Sequence, residues 1–227
     1  MSHVQYEAPG VGSGQDRDRS RARLVEELIS VGHDAVERGL VLASGGNLSA
    51  RLDGDNFVVT ASGTWLDRLT PEDFVDLTLA ADESGEVASG PLPSSEWKLH
   101  HRAYRARPDA ECVIHLHPQH AVVLASLGRE IRLLTLDHAN YVGSVGVTPF
   151  YHNGTPELAD TAADDLRPHH CCVRRHHGCS VIGDSISMTY RRALNLEDAA
   201  KATALALQLG DTETTFPPEQ LADLHHA

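Results

Sequence analysis

Apolar positions along this chain change period several times, and each change marks a predicted element. Across residues 17–38, Leu24, Val25, Leu28, Ile29, Val31 and Val36 recur at helical spacing. Gly39 follows, where helices commonly stop. Phe57-Val58-Val59-Thr60 and Val75-Asp76-Leu77-Thr78-Leu79 are rich in β-branched and aromatic residues and predict strands. Between them, Leu69-Thr70-Pro71-Glu72-Asp73 predicts a helix start or a turn. Gly90-Pro91-Leu92-Pro93 predicts a rigid loop, after which Ser94 or Ser95 is placed to cap a helix reaching about Arg107. Residues 111–116 predict a buried strand, and 118–127 a short helix with proline in its first turn. Residues 142–150 predict another strand, and Thr155-Pro156-Glu157 another helix start. Cys171-Cys172-Val173 and Cys179-Ser180-Val181-Ile182 predict paired strands around a turn. A long helix is expected over 187–209.

Strands and helices mingle here without a strict βαβ rhythm. The fold class expected is α/β: one domain, a mainly antiparallel or mixed sheet, and helices on both faces. Residues 1–16 are rich in glycine and serine with little apolar periodicity, so they read as a tail. Residues 211–227 lose periodicity and contain Pro217-Pro218, so they read as a second tail around a domain at 17–210.

Composition narrows the function. The 227 residues are 41% hydrophobic and 22% charged, which suits one globular domain. A net charge of −13 argues against a nucleic-acid partner, which would call for a basic face. No apolar run approaches the roughly 20 residues of a membrane span, and no signal-peptide pattern opens the chain. The expected location is cytoplasmic, with no membrane partner. Cys112, Cys171, Cys172 and Cys179 form no C-x-x-C pair and read as reduced core residues. Fifteen histidines, many clustered, point toward metal or proton chemistry.

The sharpest cluster is His115-Leu116-His117. Residues two apart on a strand share a face, so two imidazoles aim at one point. A catalytic zinc site needs a third donor, and His177, followed by Gly178, is the best candidate. His176 would point away, and His120 reads as an ordinary polar residue. Glu96 follows two hydroxyl residues in the first turn of a predicted helix. It is a candidate proton shuttle beside a metal and an anion. Helix N–H groups at Ser94 and Ser95, and the small-residue turns Gly46-Asn47 and Ala61-Ser62-Gly63-Thr64, could cradle that anion.

Taken together, Ser44-Gly-Gly-Asn-Leu-Ser-Ala-Arg51, Thr60-Ala-Ser-Gly-Thr64, Pro93-Ser-Ser-Glu96, His115-Leu-His117-Pro118 and His177-Gly178 resemble the class II aldolase/adducin family, in order and spacing. The resemblance spans about residues 20–209. It implies an α/β/α fold and a C4-type homotetramer with active sites at subunit boundaries. It implies Zn2+ on His115, His117 and His177, with Mn2+ or Co2+ as alternatives, and Glu96 as acid/base. Gly46, Asn47, Ser62, Gly63, Ser94 and Ser95 look like the phosphate pocket. The activity implied is cleavage of a small phosphorylated sugar. That sugar would be a deoxyketose 1-phosphate, such as L-fuculose 1-phosphate or a 5-deoxypentulose 1-phosphate. The products would be dihydroxyacetone phosphate and an aldehyde. A decarboxylase or 4-epimerase on the same scaffold is the alternative enzyme, and a non-catalytic adducin-type scaffold is the other class. The epimerase branch has an acidic residue near Asn140, and asparagine cannot serve as that base. The chain departs from the family at the aldehyde end. There Tyr141 and His138 are the candidate proton donors, and the usual Asn before the third ligand is His176.

Overall fold

The computed structural model describes residues 14–80 and 90–221. Residues 1–13 and 222–227, which hold most of one predicted tail and the end of the other, lie outside the described residues. A seven-stranded sheet forms the centre: β1 (Asn47–Asp53), β2 (Asn56–Thr60), β3 (Phe74–Thr78), β4 (Cys112–Leu116), β5 (Val145–Thr148), β6 (Cys171–Arg174) and β7 (Gly178–Gly183). The strand order is β3-β2-β1-β4-β7-β6-β5. Every pairing is antiparallel except β5 with β6. This is the mixed sheet expected from the sequence.

Helices cover both faces because the strands alternate apolar residues on both. On one face α1 (Gly14–Glu37), α3 (Gln119–Ser126) and α5 (Ile186–Gln208) pack Leu28, Leu124 and Leu196 against Leu48, Ile114 and Val181. On the other, α2 (Trp97–Ala106) and α4 (Pro156–Leu166) pack Leu99, Tyr104 and Leu158 against Phe57, Val113 and Ile182. The period-two alternation Val113/Ile114 within β4 therefore feeds both cores. All four cysteines are free and buried, and burial pushes the Cys112 thiol up to about 12.

Several local expectations are corrected. Residues 14–16, assigned to the tail, start α1. The stretch after Gly46, read as a turn, is a central strand, β1. The strand expected at 142–150 shrinks to Val145–Thr148, preceded by a π-type turn at His138–Val142. Neither Ser94 nor Ser95 caps α2; Glu96 occupies the N-cap position and α2 starts at Trp97. The reason is local: Ser94 Oγ turns back to accept the Glu96 N–H at 3.3 Å, and Ser94 O accepts the Trp97 N–H at 3.0 Å. Beyond α5, residues 211–216 run along Arg132, which donates to Asp211 and to Thr214 O. A short helix, α6 (Pro218–Leu221), follows them.

Candidate active site

β4 lies between β1 and β7, so its end is enclosed from both sides. His115 pairs with Asn47 on β1 and Ser180 on β7. His117 is one step past the strand, and its N–H donates to Leu40 O at 3.0 Å. His177 closes the β6–β7 turn. The three imidazoles converge, with ligand nitrogens within 4.8 Å of one another. His115 Nε2 and His117 Nε2 are 3.0 Å apart. Two nitrogens at about 2.0–2.1 Å from a tetrahedral metal would be about 3.3 Å apart, so the pair is nearly spaced for one ion. His177 Nδ1 and Nε2 are buried without a hydrogen-bond partner, as suits a donor waiting for a cation. His115 Nδ1 faces Cys179 O at 2.7 Å; as Nδ1–H it donates there and leaves Nε2 free for metal. The donor set fits a divalent ion.

Gly178 makes this convergence possible. A Cβ there would come within 2.5 Å of Leu116 O, 2.6 Å of His117 Cδ2 and 2.8 Å of His115 Cε1. Gly178→Ala should therefore spread the triad and weaken metal binding by at least about 10-fold, read by chelator competition. Gly46 is constrained twice, by φ +75° and by His115 O, 2.9 Å from where a Cβ would sit.

Glu96 sits directly over the imidazoles. Its Oε2 is 3.1 Å from His115 Nε2, and its Oε1 is 3.3 Å from His177 Nε2. Burial pushes this carboxyl upward, but the adjoining His115 and His177 rings and the Arg174 guanidinium outweigh burial and hold it well below the usual carboxylate range. Burial and neighbouring charge lower His117 to about 4 and His177 to about 3, which keeps both rings neutral for a metal.

The anion loops are brought together as well. An isolated bridge joins Ala61 to Pro93, and Ser62 N–H donates to Leu92 O while Ser94 N–H donates to Thr60 O. Ser62, Gly63 and Ser95 are exposed beside buried Ser94. Asn47 is also buried, and its amide donates to Glu96 Oε2 at 3.0 Å. The two proton-donor candidates lie elsewhere in the chain. Tyr141 is half-buried under the Arg191 guanidinium. His138 is buried, with Nε2 on Asp198 at 2.9 Å and Nδ1 accepting from Leu134 N–H. Neither hydrogen-bonds to the triad among the described residues. His176 is exposed at φ +60°.

Four contributors escaped the sequence reading. His100 and Tyr104 follow Glu96 at steps of four, one helix face, and Ser49 follows Asn47 at a step of two, one strand face. That spacing was the available signal. The fourth, Arg174, is fully buried. It reaches His115 Nδ1 at 2.7 Å and Ser180 Oγ at 2.9 Å, while its Nε and Nη1 have no partner. When His115 Nδ1–H donates to Cys179 O, Arg174 keeps only Ser180.

His120 proves to be tied to structure. Glu197 on α5 accepts from His120 N–H, Ala121 N–H and His120 Nδ1, so its carboxylate caps α3 directly after the ligand strand. Glu197→Leu strands two helix N–H groups and should cost about 1–3 kcal/mol, measured by urea unfolding of the metal-free protein.

The class II aldolase and adducin N-terminal domain profile matches residues 26–204. The chain belongs to the class II aldolase/adducin family. Within it, the His115/His117/His177 triad places the chain with the metal-dependent lyases. A 5-methylthioribulose-1-phosphate/5-deoxyribulose-1-phosphate aldolase of Rhodospirillum rubrum is 32% identical, covering 86% of each chain. A 3-oxo-tetronate 4-phosphate decarboxylase of Haemophilus influenzae is 29% identical, covering 78% of this chain and 84% of its own. The solved structure of an L-fuculose 1-phosphate aldolase superposes with a TM-score of 0.81 at 28% identity. It covers 90% of this chain and 95% of that one. Among the described residues, no helix is long and apolar enough to cross a membrane.

Proposed function

We propose that residues 17–210 form a zinc-dependent aldolase that reversibly cleaves a deoxyketose 1-phosphate into dihydroxyacetone phosphate and an aldehyde. L-fuculose 1-phosphate and a 5-deoxypentulose 1-phosphate are the substrates proposed. The observation that carries this is the Glu96 carboxylate, buried over three convergent imidazoles and next to two small-residue loops. His115, His117 and His177 would hold zinc, which when bound would supply Lewis-acid stabilisation of negative charge on substrate oxygens; manganese or cobalt would fit the same nitrogens.

In the synthetic direction Glu96 takes one proton from the hydroxymethyl carbon of dihydroxyacetone phosphate, and the electron pair moves toward the C2 oxygen. The carbon attacks the aldehyde, whose oxygen then takes a proton. Tyr141 of a neighbouring subunit is the donor proposed, because its hydroxyl accepts from Arg191 and so keeps its own proton to give, while both His138 nitrogens are engaged. Cleavage is the reverse. Gly46, Asn47, Ser62, Gly63, Ser94 and Ser95 hold the phosphate, fixing the reacting carbon beneath Glu96. The active unit is a homotetramer with sites at subunit boundaries. Four reduced thiols suit a cytoplasmic enzyme.

A decarboxylase is the second reading, favoured by the Haemophilus influenzae relative. Metal-loaded protein given dihydroxyacetone phosphate and a panel of aldehydes should form a ketose phosphate. No product from any aldehyde, with metal bound, would sink the aldolase. Carbon dioxide released from a phosphorylated 3-oxo acid would establish the second reading instead.

A further inference from the structure

Behind Glu96, five side chains from two elements interlock in one line. Glu96 Oε2 accepts from Asn47 Nδ2 at 3.0 Å. Asn47 Oδ1 accepts from His100 Nε2 at 2.5 Å. His100 Nδ1 lies 2.7 Å from Ser49 Oγ, and Ser49 Oγ lies 2.8 Å from Tyr104 OH. His100 and Tyr104 come from α2 and Glu96 from its N-cap position, while Asn47 and Ser49 come from β1, so the partners alternate. All five are at most 5% exposed.

An ionised carboxylate only accepts, so Asn47 must turn its NH2 toward Glu96 and its oxygen toward His100. That oxygen requires a proton on His100 Nε2. His100 Nδ1 is then a lone pair and accepts from Ser49, whose own oxygen accepts from Tyr104. Every donor points the same way, and the far end is anchored in the core. There the Phe57 ring lies 5.3 Å from Tyr104, and the Arg51 guanidinium covers Tyr104 at 4.9 Å. Burial lowers His100 to about 3, so it stays neutral and keeps both roles at any working pH.

We propose that His100 is a positioning residue: as the Nε2–H tautomer it locks the Asn47 carboxamide, and the locked amide fixes the Glu96 carboxylate above the metal ligands. The role rests on the reading of Glu96 as acid/base. Without His100 the Asn47 amide can rotate and Glu96 loses its fixed donor.

Three measurements test this, and two do not depend on aldolase activity. Long-range 15N NMR should show His100 as the neutral Nε2–H tautomer from about pH 5 to pH 8; an Nδ1–H tautomer or a charged ring overturns the proposal. A metal-free crystal structure of His100→Leu should show Asn47 and Glu96 displaced; an unmoved pair overturns it. In turnover, His100→Leu should lower kcat about 10- to 100-fold with KM changed less than about threefold. His100→Gln, which can donate to Asn47 and accept from Ser49, should recover most of that loss. Unchanged kcat in His100→Leu, or Gln behaving like Leu, overturns the proposal. If His100→Leu does not fold, the tautomer and the Gln variant decide. If no aldehyde reacts even in the wild type, the NMR and the crystal structure still decide.

Discussion

Glu96→Gln should keep its metal and lose turnover by about 10²- to 10⁴-fold, the range for removing a positioned acid/base. The amide is nearly isosteric with the carboxylate. Its oxygen can still accept from Asn47 Nδ2 at the Oε2 position, so Asn47 keeps its place. What disappears is the ability to take and return a proton. The loss should appear in a half-reaction as well, as failure of dihydroxyacetone phosphate to exchange a hydrogen on its hydroxymethyl carbon with deuterated water. Metal content, read by atomic absorption, should match the wild type because all three imidazoles remain. Glu96→Asp adds a geometric control: it keeps the charge but withdraws it by one methylene, so it should recover only part of the rate. A Gln variant that still exchanged the hydrogen at the normal rate would remove Glu96 from the chemistry. A Gln variant without metal would make it a metal ligand first.

The sequence was legible where apolar pattern and chemistry coincide. β4 reads as a buried strand because Val113, Ile114 and Leu116 fill both cores, and the same pattern dictates the common aim of His115 and His117. The long helix at Ile186–Gln208 and the β6–β7 pair were equally plain. β1 was hidden because its site residues are polar. Asn47 and Ser49 break the apolar alternation of a central strand, yet they are buried because His100 and Glu96 satisfy them. Glu96 was legible as an acid/base but not as an N-cap, since the choice between those depends on where the imidazoles stand. Arg174 was illegible altogether. An arginine beside another arginine before a turn reads as exposed, and only the closing of β5, β6 and β7 around it places it under His115.

His115→Ala should abolish metal binding outright, a larger effect than the about 10- to 100-fold that loss of an outer partner costs. His115 is the fully buried member of the triad, and its Nε2 lies 3.0 Å from His117 Nε2 and 3.1 Å from Glu96 Oε2. Removing it leaves two ligands, too few for a closed grip on a divalent ion, and takes away the ring that Cys179 O orients. Metal content after dialysis should fall from one ion per triad to background, and turnover should fall with it. Full occupancy in the variant would overturn the ligand set. Acid should act on the wild-type site through the other two rings. Their pKa values are lowered in the fold, to about 4 and about 3, from the ordinary 6.5. The unfolded chain therefore takes up these protons first. Their contribution to the stability of the metal-free protein is complete above pH 6.5 and is lost as pH falls through that window. For the same reason protons compete with metal late. The wild type should still hold its ion at about pH 5 and release it on approach to about pH 3. Release already complete at about pH 6 would show that the rings are not shielded as the geometry requires.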